Sequence, residues 1–265
     1  MLRTVIATRY VTPLREGGSL PAIIEADDDG LYVLKFRGAG QGPKALIAEL
    51  VAGEVGRALG LPVPDLVLVE LDPVLSNAEP DPEIQDLLKA SAGLNLALDY
   101  LPGSLAFTPA ASPPPDPELA ARMVWFDAYV TNVDRTPRNP NLLLWHRNLW
   151  LIDHGAALFF HHTWTDPETR SRSPFPQIAD HILLPFAAPI PDVDASMRRR
   201  LNRDILEAIV ALIPETWLVF GSDFADPAEH RAAYVAYLTR RLAAADVFVE
   251  EAERARVSRA IARAV

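Results

Sequence analysis

The sequence of 265 residues contains no cysteine, which excludes disulfide bonds, thiolate metal sites and a cysteine nucleophile. It also has no cluster of lysine and arginine, and 35 acidic against 25 basic residues give a net charge of -10. Binding to a nucleic-acid backbone requires a basic surface. We therefore expect no nucleic-acid partner.

Long hydrophobic runs are absent as well, since none reaches the roughly 18 residues that cross a membrane. No positively charged segment followed by an apolar stretch opens the chain. The content of 49% hydrophobic and 23% charged residues is typical of a globular protein with a sizeable core. We expect a cytoplasmic, soluble protein without a membrane partner, built as one two-lobed unit or two small domains.

The first hundred residues predict an antiparallel sheet with one helix. Apolar segments bounded by turn residues predict strands at residues 4–7, 21–26, 31–36, 66–71 and 94–101. Asp27-Asp28-Asp29-Gly30 indicates a hairpin turn between the second and third strands. A helix is expected over residues 44–59, because Pro43 suits a first helical position and Gly60 ends the pattern. A polar, proline-containing insertion separates the last two strands.

A change of composition marks the boundary between the expected lobes. Residues 108–117 contain five prolines, which cannot hold regular structure and indicate a linker. The predicted lobes are therefore residues 1–107 and 108–265. The second is expected to be mainly helical, with helices at 118–131, 197–212 and 230–243 and short strands at 141–145 and 149–153. The expected fold class is α+β with two lobes.

A polar loop between a helix and an apolar strand carries Asp134 and, five residues later, Asn139. A second carboxylate, Asp153, follows the next apolar strand and precedes the flexible Gly155. Phosphoryl transfer requires oxygen ligands for metal ions and a carboxylate that orients the acceptor hydroxyl. Magnesium prefers such ligands and keeps several of its waters. We predict Asn139 and Asp153 as magnesium ligands and Asp134 as the catalytic base.

Lys35 lies on a predicted strand between Leu34 and Phe36. A buried ammonium group requires a carboxylate partner or an anionic ligand, because an unpaired buried charge is costly. The following helix offers Glu49 and Glu54. The phase of the helix favours Glu54, which is closer to the centre of its apolar face.

In their order and spacing, these residues resemble a known family. The strand 31–36 with Lys35, the helix with Glu49, Asp134 with Asn139, and Ile152-Asp153-His154-Gly155 resemble the HipA-like branch of the protein-kinase-like superfamily. The loop from Asp134 to Asn139 is also similar to that of phosphatidylinositol 3- and 4-kinases. The resemblance implies a two-lobed protein-kinase-like fold and transfer of the γ-phosphoryl group of ATP, with Mg²⁺, to a hydroxyl. A protein serine or threonine is the expected acceptor.

The same resemblance implies roles for individual residues. Lys35 contacts the α- and β-phosphates, and the family spacing favours Glu49 over Glu54 as its partner. The turn Gly17, Gly18 and Ser19 covers the phosphates. The backbone of Asp99, Tyr100 and Leu101 meets the adenine as a hinge. Two departures from eukaryotic protein kinases, Asn132-Val133 before the catalytic Asp and His154 after the metal-binding Asp, remove no ligand.

Two other functions are compatible with parts of the sequence. Gly38-Ala39-Gly40-Gln41-Gly42 follows a strand and opens a helix, as in a dinucleotide-binding oxidoreductase, although that strand belongs to an antiparallel meander. A catalytically inactive kinase-like binding module is the other alternative, and the retained polar residues argue against it. The pair His161-His162 lacks a third zinc ligand at suitable spacing and is interpreted as surface.

Overall fold

The computed structural model describes residues 2–14, 20–40, 42–110 and 113–264. The strands are β1 Thr4–Pro13, β2 Ala22–Ala26, β3 Leu31–Lys35, β4 Leu66–Leu71, β5 Gly93–Asp99, β6 Leu105–Ala106, β7 Leu142–Trp145 and β8 Asn148–Leu151. The helices are α1 Pro43–Ala58, α2 Pro82–Ala90, α3 Pro117–Val130, α4 Pro167–Ser171, α5 Ile190–Arg198, α6 Arg203–Val210, α7 Glu215–Leu218, α8 Pro227–Ala243 and α9 Ala245–Ala264. Short 3₁₀ helices occupy Pro73–Ala78, Phe159–His162 and Pro176–Asp180.

Five strands of the N-terminal lobe close into a barrel in the order β1, β2, β3, β5, β4. Four of the five pairings are antiparallel, and β1 closes the barrel by pairing in parallel with β4. The turn predicted after β2 is present, since the N–H of Ala26 donates to the carbonyl of Gly30 at 3.1 Å. Alternate residues of β2 are buried, which fixes its register because a slip of one residue would expose them.

Helix α1 is buried on nearly all sides, because it packs against β4 and β5 of the barrel and against α6 and α7 of the other lobe. Pro43 occupies its first turn, as predicted, and Gly60 follows it with φ +70°, a left-handed conformation that glycine adopts without strain. An acidic residue in the middle of this helix is therefore removed from water. This residue is Glu49, which is buried in the middle of α1.

The C-terminal lobe is mainly helical, with α3 packed against α5, α8 and α9. The prediction of one helix over 197–212 is wrong, because α5 ends at Arg198 and α6 begins at Arg203. Asn202 causes the restart: its side chain accepts a hydrogen bond from the N–H of Ile205 and caps α6. The insertion between β4 and β5 contains α2, a helix that the sequence did not predict.

Residues 100–104 link β5 of the barrel to β6 of a second sheet, and the division into lobes 1–107 and 108–265 stays a prediction. Strand β6 already pairs with β7 in a second, three-stranded sheet that β8 completes. Residues 108–110 and 113–116, the described part of the proline-rich segment before α3, hold no helix or strand. Within the described ranges, no helix is both long and apolar enough to span a bilayer.

Candidate active site

Lys35 is the last residue of β3 and is only 9% exposed. Its Nζ lies 2.7 Å from Oδ1 of Asp153 and 3.7 Å from Oε2 of Glu49. Burial alone lowers the pKa of Lys35, but Glu49 and Asp153 outweigh it and raise the pKa above the ordinary value. The amine therefore remains charged, and its two partners come from α1 and from the loop after β8.

Glu49 is the carboxylate of α1 that reaches Lys35, whereas Glu54 pairs with Arg57 on its own helix at 3.4 Å. Glu49 is 1% exposed, and its Oε1 also lies 3.4 Å from Nδ1 of the buried His154. Burial raises the pKa of Glu49, but the Lys35 ammonium and His154 overcome this effect and lower the pKa to about 2. Glu49 is therefore ionised in the folded protein at neutral pH.

Acid is expected to destabilise the protein through Glu49. Its pKa returns to about 4.5 on unfolding, from about 2 when folded. A depressed pKa gives stabilisation that is complete above the unfolded value and lost as the pH falls toward the folded value. The thermal midpoint should fall between about pH 4.5 and pH 2, and Glu49→Gln should flatten that fall. Thermal unfolding followed by circular dichroism at stepped pH measures both.

Glu54→Gln on the same helix is the control, because burial raises the pKa of Glu54 instead of lowering it. This substitution should not flatten the acid dependence. Parallel pH profiles for wild type and Glu49→Gln would contradict the assignment of the acid dependence to Glu49.

The loop after α3 brings Asp134 and Asn139 into contact. Oδ2 of Asp134 accepts hydrogen bonds from Nδ2 of Asn139 at 2.6 Å and from Nδ2 of Asn141 at 3.4 Å. The loop also closes on itself, because the backbone N–H groups of Thr136 and Asn139 each bind the other residue's carbonyl. Both amides donate to one carboxylate oxygen, so the loop orients the Asp134 side chain.

Asp153 follows β8 in a left-handed backbone conformation with φ 54°, and Asn141 before β7 has φ 48°. Such conformations cost roughly 1–3 kcal/mol in residues other than glycine and persist where the surrounding structure holds them. The Asp153 side chain remains 38% exposed, so a ligand in the cleft can reach it. Left-handed residues therefore flank the hairpin of β7 and β8 on both sides, and one of them, Asp153, lines the cleft.

The predicted groups meet in one cleft of about 320 Å³ between the lobes. Five of the predicted site residues line it: Lys35, Glu49, Asp134, Asn139 and Asp153. The described lining also includes Phe159 and His162, which the sequence did not suggest, and Ala39 and Gly40 from the segment considered as a dinucleotide-binding turn. An ammonium, three carboxylates and a carboxamide thus share one solvent-accessible space.

The interpretation of His161 and His162 as surface residues is wrong. His161 is completely buried, with Nδ1 3.0 Å from the hydroxyl of Tyr234, and His162 lines the cleft. The apolar Phe160 directly before the pair was the available signal, since it is buried in the same short 3₁₀ helix as the two histidines.

The remaining predicted residues lie elsewhere or outside the description. Gly17, Gly18 and Ser19 fall outside the described residues. Asp99 ends β5, and Tyr100 and Leu101 follow it; the N–H of Tyr100 donates to the carbonyl of Leu31 at 3.0 Å. These three residues do not belong to the described lining of the cleft, so their contact with adenine stays a prediction.

A model of the family described as HipA-like kinase matches residues 8–251. The chain belongs to the HipA-like kinase family. No curated protein matches the sequence. The resemblance expected from the motifs is thereby confirmed, and so is kinase activity as the enzyme class of this HipA-like kinase.

Solved kinase structures superpose on this HipA-like kinase to different extents. The Helicobacter pylori proinflammatory kinase CtkA superposes with a TM-score of 0.57 at 11% identity, over 97% of this chain and 98% of that chain. A Golgi casein kinase gives 0.47 at 12% identity over 94% and 72%, and the same kinase with Mn/ADP bound gives 0.49 at 12% over 97% and 74%. At this identity, the CtkA superposition establishes a protein-kinase fold.

The geometry removes the dinucleotide-binding alternative for this HipA-like kinase. The strand before Gly38 and Gly40 is β3, which lies between β2 and β5 in an antiparallel arrangement. A dinucleotide-binding fold requires parallel strands joined by helices on both faces of an open sheet. Gly38 and Gly40 lie instead in the turn that precedes helix α1.

Proposed function

We propose that this HipA-like kinase uses ATP and Mg²⁺ to transfer the γ-phosphoryl group to a hydroxyl, with a protein serine or threonine as acceptor. The proposal is carried by one observation, the convergence of Lys35, Asp134, Asn139 and Asp153 on a single cleft. Phosphoryl transfer depends on positioning and on electrostatic stabilisation of phosphate oxygens, and these are the groups that provide both.

Lys35 would bind the phosphates of the nucleotide. Glu49 and Asp153 keep its pKa raised against the effect of burial, so it presents a permanent positive charge. Glu49 is almost completely buried, and its contact with Lys35 directs the ammonium without competing for the nucleotide itself. In this role Glu49 is a positioning residue, and Lys35 is the group that touches the nucleotide.

Asn139 and Asp153 fit a magnesium ion. Nδ2 of Asn139 is used by Asp134, which leaves its carbonyl oxygen as a ligand, and Asp153 has Oδ2 in addition to the oxygen that contacts Lys35. No group of three or more His, Asp or Glu side chains suited to a metal occurs in the described part of the chain. The pair of oxygen ligands from Asn139 and Asp153 suits Mg²⁺, which is held by one or two protein groups together with substrate phosphates. When bound, the ion neutralises phosphate charge.

Asp134 would receive the acceptor hydroxyl. Its Oδ2 accepts both amide hydrogen bonds, so Oδ1 would accept the hydroxyl hydrogen. As base, Asp134 orients the hydroxyl oxygen toward the γ-phosphorus and takes up its proton. We infer a protein acceptor from the kinship with HipA-like kinases, and the net charge of -10 disfavours an anionic membrane as the platform.

Incubation of the protein with ATP labelled at the γ-phosphate is expected to give labelled protein in the presence of Mg²⁺ and none with excess EDTA. Acid hydrolysis should then release phosphoserine or phosphothreonine, either from the enzyme itself or from a mixture of added proteins. If isothermal titration calorimetry shows binding of Mg²⁺ and ATP but no acceptor is labelled, the result would instead support an inactive kinase-like binding module. Absence of both binding and transfer would contradict the proposal.

A further inference from the structure

Four polar side chains form a buried cluster between the end of α3 and the loop that carries Asp134. They are Asp127, Asn132, Arg135 and His181, none more than 4% exposed. Buried charged groups are kept in proteins only when they are paired and hydrogen-bonded. The roles proposed above for the cleft residues use none of the four, so the cluster requires its own account.

Asp127 is the centre of the cluster, because the other three side chains all donate hydrogen bonds to its carboxylate. Its Oδ2 accepts hydrogen bonds from Nε of Arg135 at 2.6 Å and from Nε2 of His181 at 2.8 Å. Its Oδ1 accepts from Nδ2 of Asn132 at 2.9 Å. Both oxygens are thus occupied, and the rigid last turn of α3 fixes where the three donors lie.

The first connection leads from Asp127 to Asp153. Nη1 of Arg135 donates to the carbonyl of Asn141 and, at 3.2 Å, to the carbonyl of Ile152. Ile152 precedes Asp153, and Asn141 and Asp153 are the residues with left-handed backbone that flank the hairpin of β7 and β8. One guanidinium group therefore orients the peptide group that carries Asp153 and stabilises the conformation that points its carboxylate toward Lys35.

The second connection leads from Asp127 to Asp134. The side chain of Asn132 donates to Asp127 through Nδ2 and accepts from the N–H of Asp134 through Oδ1 at 3.1 Å. Because the amide has a donor end and an acceptor end, Asp127 selects which end faces Asp134. The position of the Asp134 backbone therefore depends on the carboxylate of Asp127, which also orients Asp153 through Arg135.

His181 supports the centre as a neutral ring. The N–H of Leu183 donates to its Nδ1 at 3.1 Å, so the ring hydrogen is on Nε2, where it is donated to Asp127. Burial lowers the pKa of His181 more than Asp127 raises it, in agreement with this tautomer.

We propose that Asp127, acting through Asn132 and Arg135, is a positioning centre that fixes Asp134 and Asp153 relative to each other. The inference rests on the proposed function, since it assigns the two carboxylates to one reaction. The cluster touches neither nucleotide nor acceptor. Its residues are positioning residues, and their loss should reduce turnover more than nucleotide affinity.

Arg135→Lys tests the connection to Asp153, because the single nitrogen of lysine lacks the planar fork in which Nε binds Asp127 while Nη1 binds the two carbonyls. We expect kcat to fall about 100-fold, the typical effect of a displacement of about 1 Å at a reacting group. The KM for ATP at saturating Mg²⁺ should change by less than about threefold, and the Mg²⁺ concentration for half-maximal activity should rise. Asn132→Ala tests the other connection and should lower kcat without changing the Mg²⁺ requirement.

Arg241→Lys is the matched control. Arg241 is as deeply buried as Arg135, but it donates to the carbonyls of Ala128, Tyr129 and Ser173 and to none in the loop of Asp134. It should lower the melting temperature while kcat per folded molecule stays unchanged. Should Arg135→Lys fail to fold, Asn132→Ala, which removes one amide, decides the question.

Unchanged kcat in Arg135→Lys or in Asn132→Ala, with active wild type, would overturn this inference alone. An equal loss of kcat in Arg241→Lys would also overturn it, because the effect would then follow from general loosening of the core. Wild-type protein that transfers no phosphoryl group under any condition would instead overturn the proposed function.

Discussion

Lys35→Met is expected to abolish phosphoryl transfer and to lower the free energy of unfolding by about 3 kcal/mol. Removing the ammonium leaves the carboxyl group of Glu49, 1% exposed, without its ion-pair partner, and His154 remains at 3.4 Å. Breaking one side of a buried ion pair is costly because the remaining charge is neither solvated nor paired. Urea denaturation and the labelled-ATP assay measure the two effects separately.

The double variant Lys35→Met with Glu49→Gln separates stability from function. Removing both charges should restore much of the lost stability, whereas phosphoryl transfer should remain absent. Lys89→Met is the control, because Lys89 forms an exposed pair with Asp86 at 3.7 Å and such pairs contribute about 1 kcal/mol or less. Full activity in Lys35→Met would contradict its role at the phosphates.

Asp134→Asn is expected to lower kcat by about 10²- to 10⁴-fold, the usual contribution of a general base, while ATP still binds. The asparagine retains one acceptor oxygen for the amides of Asn139 and Asn141 but cannot take up a proton from the acceptor. Asp180→Asn, at a side chain that is 79% exposed and pairs with Arg259 at 3.1 Å, should leave kcat unchanged. Single-turnover transfer and calorimetric ATP binding measure the two quantities.

Equal kcat values for wild type and Asp134→Asn would show that the reaction proceeds without this base. A loss of ATP binding together with kcat would show that Asp134 holds the nucleotide instead. Either result would require another residue of the cleft to receive the hydroxyl.

Local chemistry explains why much of the fold could be predicted. The hairpin at Asp27 to Gly30 and the bounds of α1 between Pro43 and Gly60 depend on backbone preferences of the residues themselves. The break at residues 199–202 was missed because apolar periodicity continues through it. The cap that restarts α6 depends on one asparagine.

The choice between Glu49 and Glu54 shows where reasoning from helix phase fails. Phase identifies a partner only when one face of a helix is buried, and α1 is buried on nearly all sides. Motif spacing favoured Glu49, and the distances of 3.7 Å from Glu49 to Lys35 and 3.4 Å from Glu54 to Arg57 agree with it.

The sequence by itself determined the chemical groups of the site: a lysine on a strand, and an aspartate, an asparagine and a second aspartate at loop positions whose spacing is local. Only the tertiary structure decided which carboxylate reaches Lys35, that His162 enters the cleft, and that Asp127 connects Asp134 with Asp153. His181 lies 54 residues from Asp127, and packing alone brings such residues together. Hydrogen bonds and ion pairs act over a few ångströms, and sequence separation does not encode that distance.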